Sequence, residues 1–147
     1  MAVVDRLGRL AQLDVAEVAD GWAHLGPLTG LRAAIGHLHA GPELGPWLLL
    51  VPCELLGLRT NWLRVLLQAR QPGDLAVLGH QERWQPLPAL YHVNLLAEVD
   101  LAMASGDRSL QRRLDRASAR QVPVPADGSE LTREATPGDI QAWLAKA

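Results

Sequence analysis

The sequence WLLLVPCELLGL, residues 47–58, carries the main evidence for the fold class. Its first part, Trp47–Val51, is apolar without alternation, which is typical of a strand buried on both faces of a parallel sheet. The run ends in Pro52-Cys53 and then presents one carboxylate, Glu54. Since ligands of open α/β sheets bind beyond the carboxyl ends of the strands, Glu54 is a candidate ligand for Mg²⁺, which prefers oxygen ligands. The alternative for Glu54 is a solvated loop acid.

Two segments after this stretch complete a strand–helix–strand unit. Helical periodicity predicts a helix over Arg59–Ala69, with Leu63, Leu66 and Leu67 on one face. The sequence GDLAVLG, residues 73–79, predicts a second buried strand. Strand, helix and strand within about 30 residues form a βαβ unit, so the sequence indicates an α/β layered domain.

The remaining segments extend this pattern in both directions. Val3–Leu13 has the spacing of a short amphipathic helix. HQERWQPLP, residues 80–88, is predicted to be a polar loop because it is charged and carries two prolines. The other predicted elements are a small strand at Val15–Val18, a helix over Leu28–Ala40, a strand and helix within Ala89–Gly106, a helix over Ser109–Ala117, a strand over Arg120–Val124 and a terminal helix from Thr136.

The composition predicts one ordinary domain. The chain has 147 residues and a formal net charge of −2, so no general basic field attracts nucleic acid or an anionic membrane. No apolar run is long enough to span a bilayer, and the N-terminus lacks a secretory signal pattern, so we expect a cytoplasmic protein. The single cysteine, Cys53, is expected to be a buried structural thiol, because no histidine lies near it in sequence.

Phosphate and metal motifs of the standard kinds are absent from these residues. The sequence contains neither GxGxxG nor GxxxxGK[ST], and its five histidines lack the spacing of a zinc site. GPLTGLRAAIG, residues 26–36, is the one Gly-punctuated loop that opens a helix. A helix start of this kind either binds an anion or only makes a tight turn, and both remain open.

Five segments in order resemble the molybdenum cofactor guanylyltransferase (MobA) family, which transfers GMP from GTP to molybdopterin. The resemblance covers residues 20–147, with 1–19 as a divergent N-terminal segment of the same single domain. It implies a three-layer, mostly parallel sheet, that is, a truncated Rossmann-like nucleotidyltransferase fold. The segments that carry it are GPLTGLRAAI, WLLLVPCELLGL, QPLPALYH, SGDRSLQRRL and EATPGDIQAWL.

The resemblance implies a nucleotide side and a metal ligand. Glu54 stands where the family's PCD motif has its magnesium-binding aspartate, although its side chain is one methylene longer. GTP and Mg²⁺ are the corresponding ligands. The residues implied in nucleotide binding are Asp20, Gly26, Pro27, Leu28 and Gly30.

The resemblance also implies a side that faces molybdopterin or its guanine dinucleotide. Arg133 and Ala135 stand where the family has two asparagines, so those amide contacts are changed here. The residues implied in cofactor binding are Gln85, Pro86, Arg108, Ser109 and Arg133.

One departure from the family dominates the functional expectation. The glycine-rich loop LAGGxSxRMGxxK, which holds the GTP phosphates and supplies a lysine, has no counterpart in these residues. Without it the transferred phosphoryl group loses its electrostatic clamp, so we expect no active nucleotidyltransferase from this chain by itself. The expectation is a pseudoenzyme, a degenerate accessory protein that binds the cofactor, a molybdoenzyme or a maturation protein.

Two alternatives stay open: a residual guanylyltransferase, completed by another chain, and a ligand-free interaction module. The loss of a first strand would also expose apolar surface at a sheet edge. We therefore expect a homodimer or a stable hetero-partner to cover it.

Overall fold

The computed structural model describes residues 2–4, 16–19, 27–41, 45–51, 60–80, 84–106 and 109–124. The strands are β1 (Ala2–Val4), β2 (Ala16–Val18), β3 (Trp47–Leu50), β4 (Ala76–His80), β5 (Trp84–His92) and β6 (Ala119–Pro123). The α-helices are α1 (Pro27–Ala40), α2 (Thr60–Ala69), α3 (Leu96–Ala104) and α4 (Leu110–Leu114), and a 3₁₀ turn at Val93–Leu95 precedes α3. The terminal helix predicted from Thr136 lies outside the described residues.

Four strands form the central sheet, in the order β3-β5-β4-β6. β5 is antiparallel to both of its neighbours, and β4 and β6 are parallel. β3, β4 and β6 therefore run in one direction with β5 reversed among them, which confirms the mostly parallel sheet. β1 and β2 pair in parallel as a separate two-stranded sheet.

Two apolar clusters, one on each face of the central sheet, confirm the three-layer α/β arrangement. In the first cluster, α1, α3 and α4 pack on Leu78 and Tyr91 from the sheet. In the second, Trp62 and Leu66 of α2 pack on Val77 and Leu90. Alternate residues of β4 thus face opposite layers, as the pleat requires.

The strand β3 differs from its prediction. It lies at one edge of the central sheet, and its residues are half-buried or exposed rather than buried on both faces. Leu48 and Leu50 pack on the first apolar cluster and Trp47 packs on the second, so both faces of β3 have apolar contacts although Leu49 is 37% exposed. On α2 the predicted face also shifts, because Trp62 and Leu66 are buried whereas Leu67 is 41% exposed.

Two further predictions differ from the structure. Val3 and Val4, the start of the helix predicted over Val3–Leu13, lie instead in β1 and pair with β2, whereas residues 5–13 lie outside the described residues. The loop predicted over residues 80–88 is mostly strand, because β4 extends to His80 and β5 begins at Trp84. At Val3 and Val4, strand pairing is consistent with the preference of β-branched residues for strands.

Ion pairs tie distant segments together. Arg32 of α1 donates from Nε to Asp100 of α3 at 2.5 Å. Arg120 of β6 donates from Nε and Nη2 to Asp74, before β4, at 2.6 and 2.9 Å. Arg120 also donates to the Gln71 side chain at 2.8 Å. Among the described helices, none has the length and apolar content to cross a membrane.

Candidate functional site at the carboxyl edge of the sheet

Strand ends and helix starts lie together at one edge of the central sheet, as is typical of ligand sites in α/β folds. β3, β4 and β6 end at this edge, which we call the carboxyl edge, and Gln85 of β5 is paired there with Gly79. α2 leads from the end of β3 toward the start of β4, and α1 leads toward the start of β3. Both helices therefore begin toward the carboxyl edge and direct the positive ends of their dipoles to it.

The start of α1 contains three of the residues predicted to bind nucleotide. Pro27 is exposed and Gly30 is half-buried, whereas the Leu28 side chain is in the first core cluster. The first turn has no acidic residue to oppose an anion. Leu28 can therefore offer a ligand only its backbone, and nucleotide binding here stays a prediction.

Gly79 allows β4, α2, β5 and the residue that follows β6 to approach one another closely just below this edge. A Cβ on Gly79 would lie 2.9 Å from Val124 Cγ2, 3.2 Å from Trp62 Cζ2 and 3.4 Å from Gln85 Cβ. Gln85, predicted to bind cofactor, and Trp62 in the first turn of α2 thus both lie beside Gly79. The indole Nε1 of Trp62 is buried there without a hydrogen-bond acceptor. A buried N–H donor without an acceptor is uncommon in folded proteins, and Trp62 is one of two described side chains with such an atom.

Trp84 connects the carboxyl edge to α4. Its indole Nε1 donates to Asp115 Oδ1 at 2.7 Å, and its carbonyl accepts from Gln111 Nε2 at 2.8 Å. His80 contacts the Trp84 ring edge-on, with ring centroids 4.9 Å apart. Trp84 thereby fixes α4 against the start of β5.

Pro86 and Ser109, both predicted to bind cofactor, have structural contacts in the fold. The Pro86 carbonyl accepts from the Tyr91 hydroxyl at 2.7 Å. Burial raises the pKa of Tyr91 far above its ordinary value, so this hydroxyl remains a donor at neutral pH. Ser109 is the N-cap of α4 and accepts from the Arg112 backbone N–H at 3.3 Å. Neither contact tests cofactor binding.

Several predicted site residues lie outside the described part of the chain. These are Asp20, Gly26, Glu54, Arg108 and Arg133. Within the described ranges no three histidine, cysteine, aspartate or glutamate side chains come together to hold a metal ion. The structure thus leaves the predicted magnesium ligand Glu54 untested.

The contacts made by Trp62, Gly79 and Trp84 were not predicted from the sequence. The burial of Trp62 could have been predicted, because Trp62 and Leu66 are four residues apart and lie on one face of the helix. The segment GDLAVLG ends in Gly79, and a glycine at a strand end indicates close approach of another backbone or side chain. The contacts of Trp84 were not predicted, because the residue falls within the predicted polar loop at residues 80–88.

Comparison with known proteins gives a consistent result. Residues 2–122 match the model of the MobA-like NTP transferase domain. A protein of Opitutus terrae named as a probable molybdenum cofactor guanylyltransferase is 31% identical over 105 residues, which are 71% of this chain and 50% of that protein. A molybdenum cofactor guanylyltransferase of Yersinia pestis is 28% identical over 122 residues, 83% of this chain and 60% of the relative. The chain thus spans about half of the length of these curated relatives.

Two solved structures share the fold. Molybdopterin-guanine dinucleotide biosynthesis protein A of Archaeoglobus fulgidus has a TM-score of 0.77 at 18% identity, covering 99% of this chain and 79% of its own. A protein of Aquifex aeolicus has a TM-score of 0.78 at 15% identity, covering 92% and 70% respectively. These similarities agree with the four-stranded α/β architecture, and the family match extends over most of the sequence. The chain therefore belongs to the MobA-like NTP transferase domain family.

Proposed function

We propose that this chain acts in molybdenum cofactor biosynthesis or insertion as an accessory protein. It binds a molybdopterin-type cofactor at the carboxyl edge and does not transfer GMP by itself. The observation that carries the proposal is the family match over residues 2–122, with curated relatives named as molybdenum cofactor guanylyltransferases. The lack of LAGGxSxRMGxxK in these 147 residues motivates the non-catalytic part.

The described residues fit a pterin-type ligand in two respects. Gln85 contributes an amide at the carboxyl edge, and amides can pair with the donor and acceptor groups of a pterin ring. Trp62 contributes a buried indole N–H without an acceptor at the same corner. Arg108 and Arg133 are the proposed partners of the cofactor phosphate, because guanidinium groups pair with phosphate in two-bond geometry.

A second candidate function is a residual guanylyltransferase that another chain completes. The start of α1 favours it, since a helix start without an acidic residue is suited to a phosphate. In that case Glu54 would hold Mg²⁺ beside GTP, as the metal-binding aspartate of the family does. The metal would neutralise charge on the phosphates, and the α1 backbone would orient them.

Calorimetric titration of the purified chain, first with molybdopterin and then with GTP and Mg²⁺, separates these functions. The proposal predicts binding of molybdopterin, and no GMP transfer when both ligands are present. Transfer by the chain alone would establish the enzyme instead. If neither ligand gives measurable heat, the chain is an interaction module and the proposal is wrong.

A pair of matched glutamine variants tests the position of the site. Gln85→Ala is expected to weaken molybdopterin binding about tenfold, a change of about 1.4 kcal/mol. Gln121→Ala removes an exposed amide from β6 and is expected to leave the affinity unchanged. Equal affinities for the two variants would place the cofactor elsewhere.

A further inference from the structure

Gln85, on which the proposed cofactor site depends, lies where the pairing of β5 is interrupted. It is paired with Gly79, and the register of the two strands shifts between Leu78 and Gly79. Residues 86–88 consequently have no described partner in β4, and the described pairing with β3 starts at Ala89. Where a ladder is interrupted, its backbone hydrogen bonds no longer hold the strand. Other contacts are therefore needed to fix the backbone that follows Gln85.

The Tyr91 side chain supplies one of these contacts. It is fully buried in the first apolar cluster, and its hydroxyl donates to the Pro86 carbonyl at 2.7 Å. Because side chains in a close-packed core have little room to move, the Tyr91 hydroxyl has a fixed place. This hydrogen bond thus connects the residue just after Gln85 to the centre of the core.

The residue just before Gln85 is held from α4. The Trp84 carbonyl, which belongs to the peptide group shared with Gln85, accepts from Gln111 Nε2 at 2.8 Å. The indole of Trp84 donates to Asp115 at 2.7 Å, and the Trp84 side chain is buried. Both neighbours of Gln85 in the chain are thus held by hydrogen bonds from side chains, one from the core and one from α4.

Two features of the sequence restrict Gln85 further. Pro86 follows it, and a residue before a proline is largely confined to extended backbone conformations. The paired Gly79 has no side chain, and a Cβ placed there would lie 3.4 Å from Gln85 Cβ. The half-buried Gln85 side chain has no hydrogen bond within the described part of the chain. A fixed backbone with an uncommitted amide is suited to binding, because little conformational freedom is lost when a ligand arrives.

We propose that Tyr91 and Gln111 are positioning residues of the cofactor site, which hold Gln85 where its amide meets the ligand. This inference rests on the proposed binding of a molybdopterin-type cofactor at the carboxyl edge. Neither residue is assigned a contact with the ligand, since Tyr91 is fully buried and Gln111 acts on the Trp84 carbonyl. Their effect on affinity therefore passes through Gln85.

Calorimetric titration with molybdopterin tests the role of Tyr91. Tyr91→Phe keeps the buried ring and removes only the hydroxyl, so the variant is expected to fold. Its affinity is expected to fall about fivefold, roughly the factor for ordering one side chain on binding. In the Gln85→Ala background the same substitution is expected to leave the affinity unchanged, because the amide that Tyr91 positions is absent. An equal loss in both backgrounds would overturn the proposal, since Tyr91 would not act through Gln85.

Gln111→Met tests the contact from α4. Methionine has a similar length and helix propensity but no donor, so the Trp84 carbonyl loses this partner. The affinity for molybdopterin is expected to fall severalfold, again only where Gln85 is present. Gln68→Met is the matched control, because Gln68 is an exposed glutamine of α2, and it is expected to bind as the unaltered protein does. Circular dichroism and thermal unfolding verify that each variant is folded.

A measurement without ligand tests the positioning directly. The NMR order parameter of the Gln85 backbone N–H is expected to be about 0.85 in the unaltered protein, the value of a rigid backbone. It is expected to fall in Tyr91→Phe and to stay the same in Gln68→Met. A value below about 0.6 in the unaltered protein, or no change in Tyr91→Phe, would show that Tyr91 does not hold Gln85.

The titrations also separate this inference from the proposed function. If the unaltered protein does not bind molybdopterin, the proposed function is wrong and the positioning roles are wrong with it. If Gln85→Ala weakens binding but Tyr91→Phe and Gln111→Met do not, the proposed function stands and only the positioning roles are wrong. The expected result is weaker binding in all three variants, without further loss when Gln85→Ala is combined with either of the others.

Discussion

Gly79 shows what a single missing side chain permits in this fold. A Cβ at this position would lie 2.9 Å from Val124 Cγ2 and 3.2 Å from Trp62 Cζ2, distances that force neighbouring groups to move. Gly79→Ala is therefore expected to destabilise the protein by about 1–3 kcal/mol. Urea unfolding, monitored by circular dichroism, measures the difference.

Gly36→Ala is the matched control for this substitution. Gly36 lies inside α1, and a Cβ there would meet nothing within 4 Å. Because glycine is unfavourable in a helix interior, Gly36→Ala is expected to raise the free energy of unfolding by about 0.5–1 kcal/mol. If Gly79→Ala is as stable as the unaltered protein or more stable, the close packing at Gly79 has no energetic consequence.

At the level of elements, α4 depends on side-chain contacts because it is short. The helix has only five residues, too few to be stable alone, and its contact with β5 includes the Trp84–Asp115 hydrogen bond. Asp115→Ala leaves the part-buried indole N–H of Trp84 without its acceptor and is expected to cost about 1–3 kcal/mol.

Asp115→Asn distinguishes hydrogen bonding from other effects of this substitution. The amide oxygen of Asp115→Asn can still accept from Trp84 Nε1, so this variant is expected to keep most of the stability that Asp115→Ala loses. Unfolding free energies of the two variants give the comparison. Equal losses in both would assign the effect to the charge of Asp115 rather than to its hydrogen bond.

The elements also show what the sequence could and could not predict. Helix α1 was predicted within one residue of its start, because a glycine-punctuated loop precedes a clear helical pattern. The helix predicted within Ala89–Gly106 ends at Ala104, and Gly106 follows it with a φ of 74°, the left-handed conformation that glycine favours after a helix. Both predictions rest on residues that are neighbours in the sequence, and such local patterns are kept in the folded structure.

The assignment of residues 80–88 failed for a reason that is not local. Leu78 pairs with Ala89 and Gly79 with Gln85, so residues 86–88 have no partner in β4. Pro86 and Pro88 lie in this interruption, where a missing N–H costs no ladder hydrogen bond. Two prolines indicated a loop, yet the strand continues around them because its register shifts.

At the scale of the whole molecule, the pair of Asp74 and Arg120 links stability to pH. Hydrogen bonds from Arg120 lower the pKa of Asp74 below its ordinary value of 3.8, against the opposing effect of burial. A lowered carboxyl pKa stabilises the folded state above the ordinary value, and this stability is lost as pH falls through the folded pKa. Asp74→Asn is therefore expected to lower the Tm by about 3 °C at neutral pH.

The difference in Tm between the unaltered protein and Asp74→Asn is expected to become smaller in acid. Thermal unfolding across the acid range, with Asp115→Asn as a second carboxylate variant, provides the measurement. A difference in Tm that stays constant well below pH 3.8 would show that the charge of Asp74 is not responsible.

The candidate site could be predicted only in part, because some of its contacts join residues that are distant in the sequence. The βαβ pattern predicts a ligand site at the carboxyl edge, and that position stays a prediction. Contacts such as that of Trp62 with Gly79 join residues of α2 and β4, and no spacing along the chain encodes them. The family resemblance supplied residues such as Gln85, whose binding role awaits experiment.

The place of β5 in the sheet has a consequence for the folding reaction. β5 pairs with β4, which ends only four residues before β5 begins, and also with β3, which lies more than 30 residues earlier. Closing the short connection costs less chain entropy than closing the long one. We therefore expect the β4–β5 hairpin to form first, and β3 to dock onto it afterwards. The strand that docks late would then be the edge strand β3, and its exposure would last longest while the chain folds.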